Sequence, residues 1–396
     1  MTKHKLPKGF QASGIHSGVK KKRKDLSLVY SKTPCKVAAL FTKNAVKAAP
    51  VLLAEEELAK DCHIHAVVIN SGNANCMTGR RGLKDAGRIV SETRKLLGAS
   101  KGTVLTSSTG IIGEFLPMKT ILKGLPKLVK KLSRDGLDDA AQGIMTTDRF
   151  AKVSVRTFEM AGKKITISGF TKGAGMIKPD MATMLGYVMT DANVSEKALK
   201  KALFECNSSS FNAITVDGDM STNDTVMLLA NGKSGNKLIL EKDKSFNTFK
   251  GNLKAVCVDL AKMIVEDGEG ATKFIEVSVK GAHSKRDAKR VADAIGNSLL
   301  VKCAVLGGDP NWGRIASSAG SSGVKFDPDR MEIKLDGVTF FKVGRKAAFV
   351  DRKKSKVFKK KSVKIEVDLH AGKSEAVVYS CDISKKYITL NSYYTT

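Results

Sequence analysis

The stretch from Thr171 to Asp191 holds the residues best placed to do chemistry. Lys172-Gly173-Ala174-Gly175 gives a backbone that can turn tightly or approach a ligand closely. Lys178-Pro179-Asp180 follows, where the proline breaks a helix and favours an extended or turn geometry just before it. Next comes Met181-Ala182-Thr183-Met184-Leu185, an apolar run with one hydroxyl. A buried hydroxyl needs a partner or a task. The plain reading of Thr183 on its own is a β-branched residue in a buried strand.

The rest of the chain limits what such a hydroxyl can do. The six histidines, His4, His16, His63, His65, His283 and His370, all lie outside the polar loops described below. A Ser-His-Asp or Cys-His site is therefore not expected. A nucleophile without histidine needs another base. One solution is an N-terminal threonine, whose own α-amine takes the hydroxyl proton at a pKa near ~8. A mid-chain threonine gains that amine only if the peptide bond before it is cut. No GxxxxGK[ST] motif is present, and Gly173-Ala174-Gly175 lacks the third glycine of a dinucleotide fingerprint.

Composition narrows the class. With 396 residues and 42% hydrophobic content, the chain can bury a large core in two or more domains. No run approaches the ~18 apolar residues of a membrane helix. Met1 to Phe10 is short and basic, without the apolar stretch of a secretory signal, so a cytoplasmic location is expected. Seven scattered cysteines with no CxxC fit reduced thiols. Cys62-His63-Ile64-His65 reads as strand alternation rather than spaced metal ligands, and no metal is expected. The net charge is +29, with its densest runs at Lys20-Lys21-Lys22-Arg23-Lys24 and Lys359-Lys360-Lys361. Neither run is interleaved with aromatics, so the charge reads as solvated surface that also attracts anionic substrates, not as a nucleic-acid platform.

The elements that must position these residues alternate short apolar strands with amphipathic helices, which argues for a mixed α/β fold. Strands are expected at Leu26–Tyr30, Ala38–Phe41, Ala66–Ile69 and near Val104-Leu105, and in a hairpin of Val153–Phe158 with Lys164–Phe170. Further strands are expected at Phe211–Val216 and Leu300–Leu306, and in a late hairpin of Val363–Leu369 with Ala376–Tyr379. Helices are expected at Ala54–Lys60, Leu83–Leu97, Met118–Leu132 with a break near Pro126, Asp138–Gly143, Ser195–Glu205, Phe246–Ile264 and Lys285–Leu299. Polar loops leave the strands at Asn70–Asn75, Thr106–Gly110, Met145–Asp148 and Asp217–Thr225, where sites are commonly built.

Taken together, these blocks resemble the ornithine acetyltransferase family, the glutamate N-acetyltransferases of arginine biosynthesis. The resemblance rests on Lys172–Ile177 with Pro179 and Met181–Leu185, and on Pro7–Phe10, Asn70–Asn75, Ser108–Gly110, Met145–Asp148, Thr215–Asp219, Ser221–Thr225, Gly268–Lys273 and Asp309–Arg314, all in family order. It implies an αββα-type sandwich catalytic domain over residues 1–277 and a smaller C-terminal α/β domain over residues 278–396. It further implies self-cleavage between Ala182 and Thr183, giving an α chain of residues 1–182 and a β chain of residues 183–396 that assemble as α2β2. Thr183 would then take acetyl from N2-acetyl-L-ornithine and pass it to L-glutamate, with Thr109 and Gly110 stabilising the oxyanion. Thr146, Lys172, Thr183, Glu269, Asn391 and Thr396 would bind substrate. Matching of charge assigns Lys172 to an α-carboxylate and Glu269 to an amine. No cofactor is implied, and acetyl-CoA stays open as a second acetyl donor. Asp180 stands where many relatives carry Asn. Two alternatives remain: an N-terminal-threonine aminopeptidase or amidase on a related fold, and a basic nucleic-acid-binding protein.

Overall fold

The computed structural model describes residues 4–60, 63–99, 104–178, 184–342 and 357–393. Cys62, Pro179 to Thr183 and Thr396 lie outside the described residues. The strands of the first sheet are β1 (Phe10–Ile15), β2 (Leu26–Phe41), β3 (Ile64–Asn73), β4 (Val104–Ile111), β5 (Lys152–Met160), β6 (Lys163–Lys172), β7 (Leu185–Thr190) and β8 (Thr225–Ala230). They run in the order β4-β3-β2-β8-β7-β6-β5, with β1 beside β2. The second sheet contains β9 (Phe274–Ala282), β10 (Glu332–Leu335), β11 (Val338–Lys342), β12 (Ser362–Asp368) and β13 (Ser374–Cys381), in the order β11-β10-β12-β9-β13. The helices are α1 (Ala49–Ala59), α2 (Gly79–Leu97), α3 (Met118–Lys130), α4 (Leu137–Gly143), α5 (Glu196–Ser208), α6 (Lys244–Glu266), α7 (Lys285–Asn297), α8 (Leu299–Gly307), α9 (Trp312–Gly320) and α10 (Lys385–Tyr393).

Side-chain alternation turns the first sheet into four layers. Strand β2 joins its two halves: Leu26 to Tyr30 pair with β3, and Lys36 to Phe41 pair with β8. Between the halves, Phe10, Val29, Val67, Ile69 and Leu105 face Phe170, Leu185, Tyr187, Met189, Met227 and Leu229 in one buried cluster. The opposite faces take helices. Leu26, Leu28, Ala66 and Val68 pack with Ile89, Ile121, Leu125 and Leu128 from α2 and α3. Val188, Val226 and Leu228 pack with Leu199, Leu203, Phe249, Leu253 and Leu260 from α5 and α6. The architecture is therefore helix, sheet, sheet, helix. The second sheet is covered by α7, α8 and α9 over Val277, Val279, Val291, Ile295, Val301 and Ile315. Among the described residues, no helix is long and apolar enough to cross a membrane. The six described cysteines are free thiols.

Several local expectations differ from the structure. The strand expected at Leu300–Leu306 is helix α8, capped by the Ser298 hydroxyl, which accepts from Val301 N–H, and ended by Gly308 at φ +71°. Short apolar runs do not distinguish buried helix from buried strand; here a cap and a left-handed glycine decide it. At Phe211–Val216, the structure has a 3-10 turn over Phe211–Ala213, and only Ile214 makes a bridge, to Tyr379. The two late strands do not form a hairpin with each other: β12 runs parallel to β9, and β13 runs antiparallel on its other edge. Helix α3 passes through Pro126 unbroken, because burial of Ile121, Leu125 and Leu128 on one face outweighs the lost hydrogen bond.

Candidate active site

Loops from the first sheet converge at one end of it. Parallel β3 and β4 bring Gly72 beside Gly110. Gly110 sits at φ +138°, and a Cβ there would lie 2.3 Å from the Gly72 carbonyl carbon. This close approach of two backbones needs glycine. The Ser108 hydroxyl donates to Asn70 Oδ1 at 2.6 Å. Asn223 Nδ2 reaches the carbonyls of Ala74 at 2.7 Å and Ser108 at 2.8 Å, tying the β8 approach loop to both strand ends. The Asn- and Ser-rich segments, expected as loops, are the paired ends of β3 and β4, and they serve as a hydrogen-bonded frame that fixes Thr109 and Gly110.

Strand β6 ends in Lys172, buried, with Nζ 3.2 Å from Thr109 Oγ1. Burial pushes the Lys172 ammonium below its ordinary pKa, opposed by the nearby Asp148, Asp224 and Glu269 carboxylates. Asp148 accepts from Gly173 N–H at 2.9 Å and from Thr146 N–H at 2.8 Å, so it fixes both backbones on this side. Burial works to raise its pKa, but the charges of Lys152 and Lys172 outweigh that and hold it well below the usual carboxylate range. Lys152 is fully buried, with Nζ 2.6 Å from Asp148 and 2.6 Å from Asp267. Asp267 also takes Arg149 Nε at 2.8 Å.

Two carboxylates of one loop hold the chain on either side of residues 179–183. Upstream, Asp217 accepts from Met176 N–H at 2.6 Å and Ile177 N–H at 2.8 Å. Downstream, Asp224 Oδ1 accepts from Met184 N–H at 2.9 Å. Burial raises the pKa of both carboxyls. Helix α10 closes the far side: Tyr387 OH lies 3.3 Å from Asp217, and Asn391 Nδ2 donates to Glu269 Oε2 at 2.9 Å. Gly175 leaves room for the Glu269 carboxylate, which would lie 2.6 Å from a Cβ at that position.

These elements enclose a cavity of about 500 Å³, lined among others by Thr109, Gly110, Thr146, Lys172, Glu269 and Asn391. One wall carries the Lys172 ammonium and the Thr109 hydroxyl, and the other carries the Asp217, Asp219 and Glu269 carboxylates. That polarity suits a zwitterionic amino acid. Among the described residues, no cluster of three or more His, Cys, Asp or Glu is arranged to hold a metal ion.

Comparison with known proteins decides the family, since the ArgJ family model matches residues 11–396. The chain belongs to the ArgJ family. It is 48% identical to the arginine biosynthesis bifunctional protein ArgJ of Geobacter sulfurreducens, over 98% of this chain and 99% of that one. It is 46% identical to the protein of the same name from Caldanaerobacter subterraneus subsp. tengcongensis, over 100% of this chain and 98% of that one. A crystal structure of arginine biosynthesis bifunctional protein ArgJ from Bacillus halodurans is similar with a TM-score of 0.51 at 38% identity, covering 52% of this chain and 98% of the solved chain.

Six of the residues that the ArgJ resemblance assigns to the site therefore share one cavity, while Thr183 and Thr396 lie outside the described residues. Asp217, Asp224, Lys152 and Tyr387 were not singled out as site residues from the sequence. Asp217 and Asp224 carried a signal, since acids sit among hydroxyls in a strand-end loop. Lys152 and Tyr387 carried none. A lysine beside a strand and a tyrosine in a lysine-rich tail read as surface until the fold buries one and places the other in the first turn of α10, against Asp217.

Proposed function

We propose that this ArgJ-family chain is a glutamate N-acetyltransferase that cleaves itself between Ala182 and Thr183 and uses Thr183 as nucleophile. The observation that carries the reading is the paired clamp: Asp217 on Met176 and Ile177, and Asp224 on Met184, tie both flanks of residues 179–183 to the wall of the Thr109–Lys172–Glu269 cavity. The α-amine released by cleavage takes the Thr183 proton, and the hydroxyl attacks the acetyl carbonyl of N2-acetyl-L-ornithine. Donors at Thr109 and Gly110 meet the oxyanion. Ornithine leaves, and glutamate accepts acetyl from the Thr183 ester. Lys172 pairs with an α-carboxylate, and Glu269, oriented by Asn391, takes an amine. Thr146 and Thr396 complete the substrate contacts. The scheme calls for no metal or redox cofactor, and acetyl-CoA is a candidate second donor that would make the enzyme bifunctional, as its relatives are named. The solved Bacillus halodurans chain is about half as long as this one, a length that either cleavage product would have. Assembly as α2β2 in the cytoplasm completes the reading.

Denaturing mass analysis with N-terminal sequencing tests the cleavage: a fragment beginning at Thr183 is expected. Transfer is assayed with N2-acetyl-L-ornithine, with and without glutamate. Acetate released at the same rate either way would point to an aminopeptidase- or amidase-type hydrolase instead. One uncut chain whose activity survives Thr183→Ala would sink the mechanism.

A further inference from the structure

Lys302 is 1% exposed and lies on α8, outside the cavity lining. Its Nζ donates to Ser380 Oγ at 2.6 Å, to the Cys381 carbonyl at 2.8 Å and to the Val216 carbonyl at 3.0 Å. An ammonium has three N–H donors, and here each meets a neutral acceptor. Its hydrogen-bond acceptors are all neutral, and the charges of Asp217 and Asp382 reach it only from beyond them. Burying such a charge is costly, and an apolar side chain would fill the space more cheaply. What the lysine adds is a fixed meeting point for segments distant in sequence.

Two of the three acceptors belong to segments that lead to the cavity. Val216 leads into Asp217, and Val216 N–H also donates to the Ile177 carbonyl at 2.9 Å. Cys381 leads into Asp382, which accepts from Thr272 N–H at 2.8 Å and Lys273 N–H at 2.9 Å, just beyond Glu269. The same segment runs on to Ser384, whose hydroxyl donates to the Gly270 carbonyl at 2.7 Å, and then into α10 with Tyr387 and Asn391. One ammonium on α8 therefore ties down both the loop that holds Ile177 and the segment that braces the backbone next to Glu269 and runs into α10.

We infer that Lys302 is a positioning residue of the active site, setting Asp217, Glu269 and α10 against the cavity without touching substrate. The inference rests on the proposed acetyl transfer for its kinetic readout only. In Lys302→Met, the KM for N2-acetyl-L-ornithine should rise about tenfold while kcat stays within about threefold, as expected when binding geometry is lost but reacting groups are kept. Hydrogen exchange, measured without substrate, should quicken in peptides covering 174–178, 214–219 and 381–387 and stay unchanged in β3 and β4. A residue that only fills the core would lower the melting temperature and leave both readouts unmoved, and that result overturns the inference. If Lys302→Met does not fold, Ser380→Ala removes one acceptor and decides the question on the same measurements: about threefold in KM with faster exchange at 214–219 supports it, and no change in either refutes it. Wild-type protein without transferase activity would overturn the functional reading alone, because the exchange arm still tests Lys302.

Discussion

Lys152→Met removes the single ammonium shared by two fully buried carboxylates. Its Nζ lies 2.6 Å from Asp148 Oδ1 and 2.6 Å from Asp267 Oδ2, all with side chains out of contact with water. Breaking a buried ion pair by deleting one partner costs ~3–5 kcal/mol, because the remaining charge stays buried. Here each carboxylate keeps other support. Asp267 retains Arg149 Nε at 2.8 Å, and Asp148 retains the N–H groups of Thr146 and Gly173 together with the charge of Lys172. The lower end of the range, about 3 kcal/mol, is therefore expected at pH 7. The assay is equilibrium urea unfolding with unchanged m. The pH dependence adds a signed test. Lys152 and Lys172 hold Asp148 below its ordinary pKa against the effect of burial. Its stabilising contribution is thus present above the unfolded value of ~3.9 and is lost as pH falls toward the folded value. The variant holds Asp148 less far down, so the gap between wild type and variant should narrow below pH ~4. A loss under about 1 kcal/mol at pH 7, the scale of an exposed pair, or a gap constant down to pH ~3, would refute the reasoning.

Gly110→Ala forces a Cβ to 2.3 Å from the Gly72 backbone at φ +138°, so acetyl transfer should fall at least ~100-fold, as for loss of an oxyanion donor; activity within tenfold of wild type would contradict the assignment. Glu269→Gln should raise the KM for N2-acetyl-L-ornithine about tenfold with a melting temperature close to wild type, and an unchanged KM would remove Glu269 from the amine subsite. Asp224→Asn keeps an acceptor for Met184 N–H and replaces a buried carboxyl whose ionised form burial disfavours. Its stability at pH 7 should equal or exceed wild type by ~1 kcal/mol in thermal melts, and a clear loss would mean that the charge itself is needed.

What the sequence made legible follows the range of the interactions. The α5 and α6 helices were readable because Ser195 caps one and Phe246, Phe249, Leu253, Val256, Leu260 and Ile264 stripe the other, both local signals. The four-layer packing is implied by family resemblance and shows as alternation: Val188 faces helices while Tyr187 and Met189 face the opposing half-sheet. Helix α8 was not readable, since Leu299–Gly307 is apolar on nearly every side and only Ser298 and Gly308 mark its ends. The order of the second sheet was not readable either. Whether β12 and β13 pair together or both flank β9 depends on partners about a hundred residues away, roughly the kind of non-local pairing that a short pattern cannot encode. The same holds in the site. Lys172 and Glu269 carried family signals, but the acids that clamp Ile177 and Met184 declare their role only through distances across the fold.

The charge of the molecule and the charge of its site run in opposite directions. The chain carries +29, yet among the described residues lining the cavity Lys172 is the one basic side chain, against Asp217, Asp219 and Glu269. If the cavity followed the surface, a cationic amine would be repelled throughout and only anions would be held. The segregation instead gives two separate effects. The surface field concentrates anionic molecules such as glutamate near the protein, an effect on association that weakens with salt. On the proposed assignment, the acidic wall would then select, at close range, for a molecule that also carries an amine. A substrate with both a carboxylate and a side-chain ammonium would then satisfy Lys172 and Glu269 together, whereas glutamate would bring a second carboxylate to an acidic wall. Raising ionic strength should therefore increase the KM for glutamate more than the KM for N2-acetyl-L-ornithine. Equal salt dependence would show that the surface charge plays no part in substrate capture.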